Sequence, residues 1–77
     1  MEVKIYSTPS CFYCVKAKEY FKSKGIVYKD LDVSANAAYA DEMIKRTGQM
    51  GVPVIIVKNQ TIIGFDKNRI EKILNSN

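Results

Sequence analysis

Four consecutive branched apolar residues, Val54-Ile55-Ile56-Val57, constrain the fold of this chain more than any other feature. Successive side chains of a strand point to opposite faces, so an uninterrupted apolar run is stable only where both faces are covered. A chain of 77 residues can meet that demand with one sheet packed between helices. Joined to Val52 and Pro53, the run spans six residues, far short of the ~20 that cross a bilayer. The opening Met1-Glu2-Val3-Lys4-Ile5-Tyr6 alternates as a strand does and lacks the basic region and apolar core of a secretory leader. The expectation is a cytoplasmic setting without membrane contact.

The rest of the chain supplies the neighbours of that strand. Val3, Ile5 and Tyr6 predict a first strand, ended by the turn-forming Ser7-Thr8-Pro9-Ser10. From Phe12 to Lys24 the period becomes helical, with Cys14, Ala17 and Phe21 at i, i+3 and i+7; Ser10 is its expected N-cap and Gly25 its stop. Ile26 to Val33 reads as a second strand. Ser34 is expected to cap a second helix that runs to Thr47, turns Ala40, Met43, Ile44 and Thr47 inward, and stops at Gly48. After the apolar strand, Asn59-Gln60 predict a tight turn into Thr61-Ile62-Ile63, and Gly64-Phe65-Asp66 break that strand. Ile70, Ile73 and Leu74 mark a last short helix. The order β-α-β-α-β-β-α, with a right-handed parallel crossover first and a hairpin later, predicts one domain over residues 1–77. It is of the α/β class, with a mixed four-stranded sheet, helices on both faces and the apolar strand at the centre.

Composition removes several classes of function. Two cysteines cannot form the multiple bridges of small secreted domains. With no histidine, a zinc site needs two further ligands, and serine–histidine or cysteine–histidine hydrolysis lacks its base. The net charge of +4 draws on Lys16, Lys18, Lys22 and Lys24, interrupted by Glu19. That pattern reads as a solvated helix face, with no nucleic-acid site, that helps attract anionic small molecules or acidic partner proteins. A monomer is expected.

Chemistry is carried by Cys11-Phe12-Tyr13-Cys14 at the junction of the first strand and helix. Cys11 falls at the helix N-terminus, where unpaired N–H groups favour thiolate over thiol, with Lys16 as a further positive charge. Cys14 falls one turn on, among the inward residues. An exposed, acidified thiol beside a shielded one suits thiol–disulfide exchange: Cys11 attacks and Cys14 resolves. The competing readings are a structural bridge, which across so short a loop stabilises weakly, half of a zinc site, or two inert core residues.

The run Ile5-Tyr6-Ser7-Thr8-Pro9-Ser10-Cys11-Phe12-Tyr13-Cys14, with Thr47-Gly48-Gln49, Gly51-Val52-Pro53-Val54 and Ile63-Gly64-Phe65-Asp66, resembles the glutaredoxins over nearly the whole chain. The resemblance implies a thioredoxin-like fold and a thiol–disulfide oxidoreductase that uses glutathione as reductant and co-substrate, without a tightly bound cofactor or metal. It implies a cis bond before Pro53, with the Val52 backbone pairing to the bound thiol peptide. Tyr13 would line the thiol site, Gly64 and Phe65 would frame it, and Asp66 would meet the glutathione ammonium. Implied partners are glutathione and disulfide-bearing or glutathionylated proteins.

The chain also departs from the pattern. Phe12 stands where most dithiol members have proline, Thr8 replaces a basic residue that meets a glutathione carboxylate, and Gly51 and Ile63 replace a threonine and a glycine. Lys45 or Arg46 become the candidates for the missing carboxylate contact. The Gly64-Phe65 pair is also similar to the thioredoxin-reductase-dependent, glutaredoxin-like electron donors of ribonucleotide reductase. That leaves thioredoxin reductase as an alternative reductant, with Phe12 as its apolar anchor and ribonucleotide reductase as the electron acceptor. A further alternative is a dimer holding a glutathione-ligated [2Fe–2S] cluster, against which the bulky Phe12-Tyr13 pair argues.

Overall fold

The computed structural model describes residues 2–76. Its elements are β1 (Val3–Ser7), α1 (Phe12–Ser23), β2 (Lys29–Asp32), α2 (Ala37–Thr47), β3 (Val54–Val57), β4 (Gln60–Ile63) and α3 (Lys67–Leu74). The strands form one sheet in the order β2-β1-β3-β4, with β1 parallel to β2 and antiparallel to β3, and β4 antiparallel to β3. The apolar run is therefore interior, as its composition demands, and all four of its residues are buried.

Strand alternation divides the core in two. Val3, Ile5, Ile55, Val57 and Ile62 face Ala17 and Phe21 of α1 and Ile70 and Ile73 of α3. On the other side Tyr6, Leu31, Val54 and Ile56 pack on Met43 of α2. Ile5 pairs with Ile55, and Ile55 with Ile62, so one row of isoleucines crosses the sheet under α1 and α3. The inward stripe of α1 is as the periodicity predicts: Cys14, Ala17 and Phe21 are all fully buried. On α2 only Met43 is fully buried, while Ala40, Ile44 and Thr47 are half-exposed beside it. Among the described residues no helix is long and apolar enough to cross a membrane.

Four boundaries differ from the sequence expectation, the first three through competition for a backbone or side-chain partner. The α1 cap is Cys11, not Ser10, since the Cys11 sulfur accepts from the Cys14 N–H at 3.1 Å. The second strand starts at Lys29, not Ile26, because Gly25 and Ile26 are spent closing α1. The Gly25 N–H donates to the Lys22 carbonyl at 3.0 Å and the Ile26 N–H to Phe21 at 2.9 Å, with Gly25 left-handed at φ 69°. The α2 cap is Asn36, not Ser34: Ser34 donates its N–H and hydroxyl to the Asp32 carboxylate at 2.9 and 2.6 Å. Those bonds hold the Asp32 carboxyl below its usual acidity range. The hairpin turns on Lys58-Asn59, whose φ values of 50° and 63° suit a two-residue turn between right-twisted strands, and Gln60 already belongs to β4.

The core and the caps should separate cleanly in unfolding measurements. Phe21→Ala should cost about 3–5 kcal/mol, much of a small domain's stability. Asn36→Ala, which removes a bond to the Ala38 N–H, should cost about 1 kcal/mol. Urea unfolding followed by circular dichroism reads both.

Candidate active site

β1 delivers the chain to the site. Its last residue, Ser7, is the buried polar residue of the described core, and strand alternation puts it on the α1 side with Val3 and Ile5. Its hydroxyl donates to the Asp30 carboxylate, whose other oxygen holds the Lys18 ammonium at 2.7 Å. β1, β2 and α1 are thereby tied together just before the turn that carries the cysteines.

The turn closes with the Cys11 N–H donating to the Thr8 carbonyl at 3.3 Å. Cys11 and Cys14 form a disulfide with their Cα atoms 5.2 Å apart. The two sulfurs are unequal. Cys14 is fully buried on the inward stripe, whereas Cys11 is half-exposed and sits at the N-cap. No acidic residue lies in the first turn of α1 to offset the positive end of the helix.

Opposite the pair stands the segment leading into β3. The Val52–Pro53 bond is cis, and the Val52 carbonyl oxygen lies 3.9 Å from the Cys11 sulfur. Val52 has no backbone partner among the described residues, which leaves its N–H and carbonyl open beside the disulfide. The Gly64 N–H donates to the Pro53 carbonyl at 2.8 Å, so the end of β4 closes on the same segment, and Gly64 is left-handed at φ 83°. Phe65 is half-buried, its ring 5.7 Å from that of Tyr20. Cys11, Cys14, Val52, Pro53 and Gly64 thus come together at one end of the sheet.

Two other residues singled out from the sequence sit differently. The Tyr13 ring is 61% exposed and packs edge-on against Phe12 at 5.3 Å. Asp66 is exposed and caps α3, accepting from the Arg69 N–H at 3.2 Å. Arg46 cannot serve at the site in this arrangement. Its guanidinium donates to the Asn59 carbonyl at 2.9 Å and the Thr61 hydroxyl at 2.8 Å, near the hairpin turn at the far end of the sheet. Lys45, exposed on α2, remains the basic candidate.

Sequence reasoning missed the brace behind Val52. The Gln49 side-chain carbonyl accepts from the Gly51 N–H at 2.6 Å, and its amide donates to the Gly51 carbonyl at 3.2 Å. A Cβ on Gly51 would lie 2.7 Å from the Gln49 Oε1, so the glycine that replaces the usual threonine fits this brace. The missed signal is the polar Gln49 two residues before that glycine. Among the described residues no three His, Cys, Asp or Glu side chains gather as metal ligands.

Comparison with known proteins agrees with this geometry. The family model described as Glutaredoxin matches residues 3–62. A glutaredoxin-like 8.6 kDa protein encoded in the rubredoxin operon of Clostridium pasteurianum is 44% identical over 72 residues, covering 94% of this chain and 96% of that protein. Glutaredoxin 3 of Escherichia coli strain K12 is 44% identical over 64 residues, covering 83% of this chain and 77% of that protein. The structure of NrdH-redoxin from Escherichia coli superposes with a TM-score of 0.82 at 22% identity, over 100% of both chains, a likeness of fold.

Asp66 can be tested first as a cap. Asp66→Ala should lower stability by about 1 kcal/mol, whereas Asp66→Asn, which keeps an acceptor for the Arg69 N–H, should lose only a few tenths. Denaturant midpoints of the two variants measure the difference.

Proposed function

Since this chain belongs to the glutaredoxin family and is a thiol–disulfide oxidoreductase of the glutaredoxin type, we propose that Cys11 is the attacking thiol, Cys14 the resolving thiol and glutathione the reductant. The observation that carries this reading is the inequality of the two sulfurs: Cys11 at the helix N-terminus and half-exposed, Cys14 fully buried.

In the reduced protein the Cys11 thiolate attacks the glutathione sulfur of a glutathionylated protein. The protein thiolate leaves and takes a proton from solvent, and Cys11 carries the glutathionyl group. A second glutathione thiolate then releases oxidised glutathione, or the Cys14 thiolate displaces reduced glutathione and closes the Cys11–Cys14 disulfide. Two glutathione molecules reopen that disulfide, giving up two electrons. Protein disulfides follow the dithiol branch. Burial of Cys14 keeps it from attacking outside partners, and its backbone N–H, 3.1 Å from the Cys11 sulfur, favours the anion.

For glutathione itself, the open backbone of Val52 suits an antiparallel pair with the cysteinyl segment, against Pro53 and Gly64. Tyr13 and Phe65 would flank it. Asp66, two residues after Gly64, would meet the ammonium while still capping α3.

A second reading has one observation of its own. Phe12 is 65% exposed next to Cys11, an apolar anchor for a docking reductase, and neither Thr8 nor Arg46 supplies the charge that a glutathione carboxylate needs. Turnover with glutathione and its reductase, against turnover with NADPH and thioredoxin reductase, separates the two. Activity in the second assay alone, indifferent to Asp66, would overturn the glutathione reading.

Variants test the roles. Cys11→Ser should abolish all turnover, while Cys14→Ser should keep deglutathionylation and lose the reduction of protein disulfides. In Cys14→Ser the thiolate absorbance of Cys11 should titrate below the free value of ~8.5. Asp66→Asn should raise the KM for glutathione about tenfold or more, the scale of one charge-assisted contact.

A further inference from the structure

The exposed flank of α1 beside the disulfide has a composition that the exchange chemistry does not use. At ~100° per residue, Phe12, Lys16, Tyr20, Tyr13 and Lys24 fall in that angular order within an arc of about 120°. The arc adjoins the buried stripe of Cys14, Ala17 and Phe21. Ser23 within it turns its hydroxyl to the Tyr20 carbonyl at 2.8 Å, and Glu19, the one acidic residue of α1, lies outside it. The first residue of α3, Lys67, joins this face from the side.

The lysines here are held against rings, not carboxylates. Lys16 lies 5.3 Å from the Phe12 ring centre, and Lys24 and Lys67 lie 5.2 and 5.8 Å from that of Tyr20. Among the described residues the ion pairs use Lys4, Lys18 and Lys29, and none involves Lys16, Lys24 or Lys67. Burial raises the pKa of the Tyr20 hydroxyl, helped by the nearby Glu71 of α3, which makes no ion pair with either lysine on the ring among the described residues. Three ammonium groups are thus positioned by aromatic faces, and none of them is in an ion pair among the described residues.

We infer that this face is a docking track for an acidic segment of the disulfide-bearing protein that Cys11 attacks. The inference rests on the thiol–disulfide reading above and names the kind of partner that site prefers. Phe12 and Tyr13, 65% and 61% exposed, supply apolar anchors at the disulfide. Lys16, Lys24 and Lys67 supply charge complementarity farther along. From Cys11 to Lys24 the helix rises about 20 Å, the reach of about six extended residues. Carboxylates on one side of the partner's cysteine would meet the lysines while its disulfide lies at Cys11. An ammonium preset on a ring has less side-chain entropy left to lose when it binds.

Two glutathionylated peptides of equal length, one with three aspartates flanking its cysteine and one with three lysines, test the track. An uncharged control, 2-hydroxyethyl disulfide, runs beside them. At low ionic strength kcat/KM should favour the acidic peptide about fivefold to tenfold, as expected of two or three exposed pairs. The preference should collapse near 1 M salt, where the screening length is about 3 Å. The K24M/K67M variant, which keeps apolar stems on the Tyr20 ring, should lose most of the preference and turn over the control unchanged. Equal rates on the two peptides, or a preference that survives in the variant, would overturn this inference alone. Absence of turnover on the control by the unmodified protein would overturn the thiol–disulfide reading and this inference with it. Tighter binding of duplex DNA than of the acidic peptide would overturn it by assigning the face to nucleic acid.

Discussion

Burial of β3 on both faces is the interaction on which the rest of the structure depends. Val54, Ile55, Ile56 and Val57 alternate between two half-cores, so neither side of the sheet can be left bare. α1 and α3 cover one side and α2 the other, and this small chain has no helices to spare. Because β3 runs antiparallel to β1, its N-terminal end lies beside the C-terminal end of β1, with Tyr6 paired to Val54. The two segments just outside that pair are the cysteine turn and the Val52–Pro53 segment. The site is therefore a consequence of the sheet register.

That placement also explains how two chemically identical side chains take on different characters. Three residues apart on a helix start, Cys14 turns into the core with Ala17 and Phe21, while Cys11 stays at the cap. The cap sulfur faces a backbone N–H and the end of a helix without acidic residues in its first turn. The buried sulfur faces apolar neighbours. The contrast in surroundings is produced by the helix geometry alone. The ties around the turn, from Ser7 through Asp30 to Lys18 and from Gln49 to Gly51, hold both sides of the site without using either sulfur.

Charge is distributed to match. The basic residues of α1 do not form one uniform surface. Lys18 is drawn inward to Asp30, whereas Lys16 and Lys24 rest on aromatic rings on the flank beside the disulfide. Arg46, one of the charges that the linear sequence offers for the site, is spent at the other end of the sheet, holding the hairpin to α2. The same basic composition thus divides into charge spent on structural contacts and charge held outside ion pairs.

The sequence by itself determined whatever depends on neighbours along the chain. The apolar run required a central strand, the spacing of Cys14, Ala17 and Phe21 set the inward face of α1, and Gly25 and Gly48 ended their helices in the left-handed conformation that glycine adopts without a steric cost. The position of Cys11 and Cys14 at a strand-to-helix junction was legible for the same reason, since periodicity and turn residues are local. Tertiary structure decided whatever depends on a choice between partners. Ser34 prefers Asp32 to the helix end, Ile26 closes α1 in place of extending β2, and Arg46 reaches Asn59, 13 positions away in sequence. The approach of Val52 to Cys11 spans 41 positions and exists only because β1 and β3 pair. Periodicity encodes which face is buried, but which of several competent donors and acceptors meet is settled by distance in the folded chain.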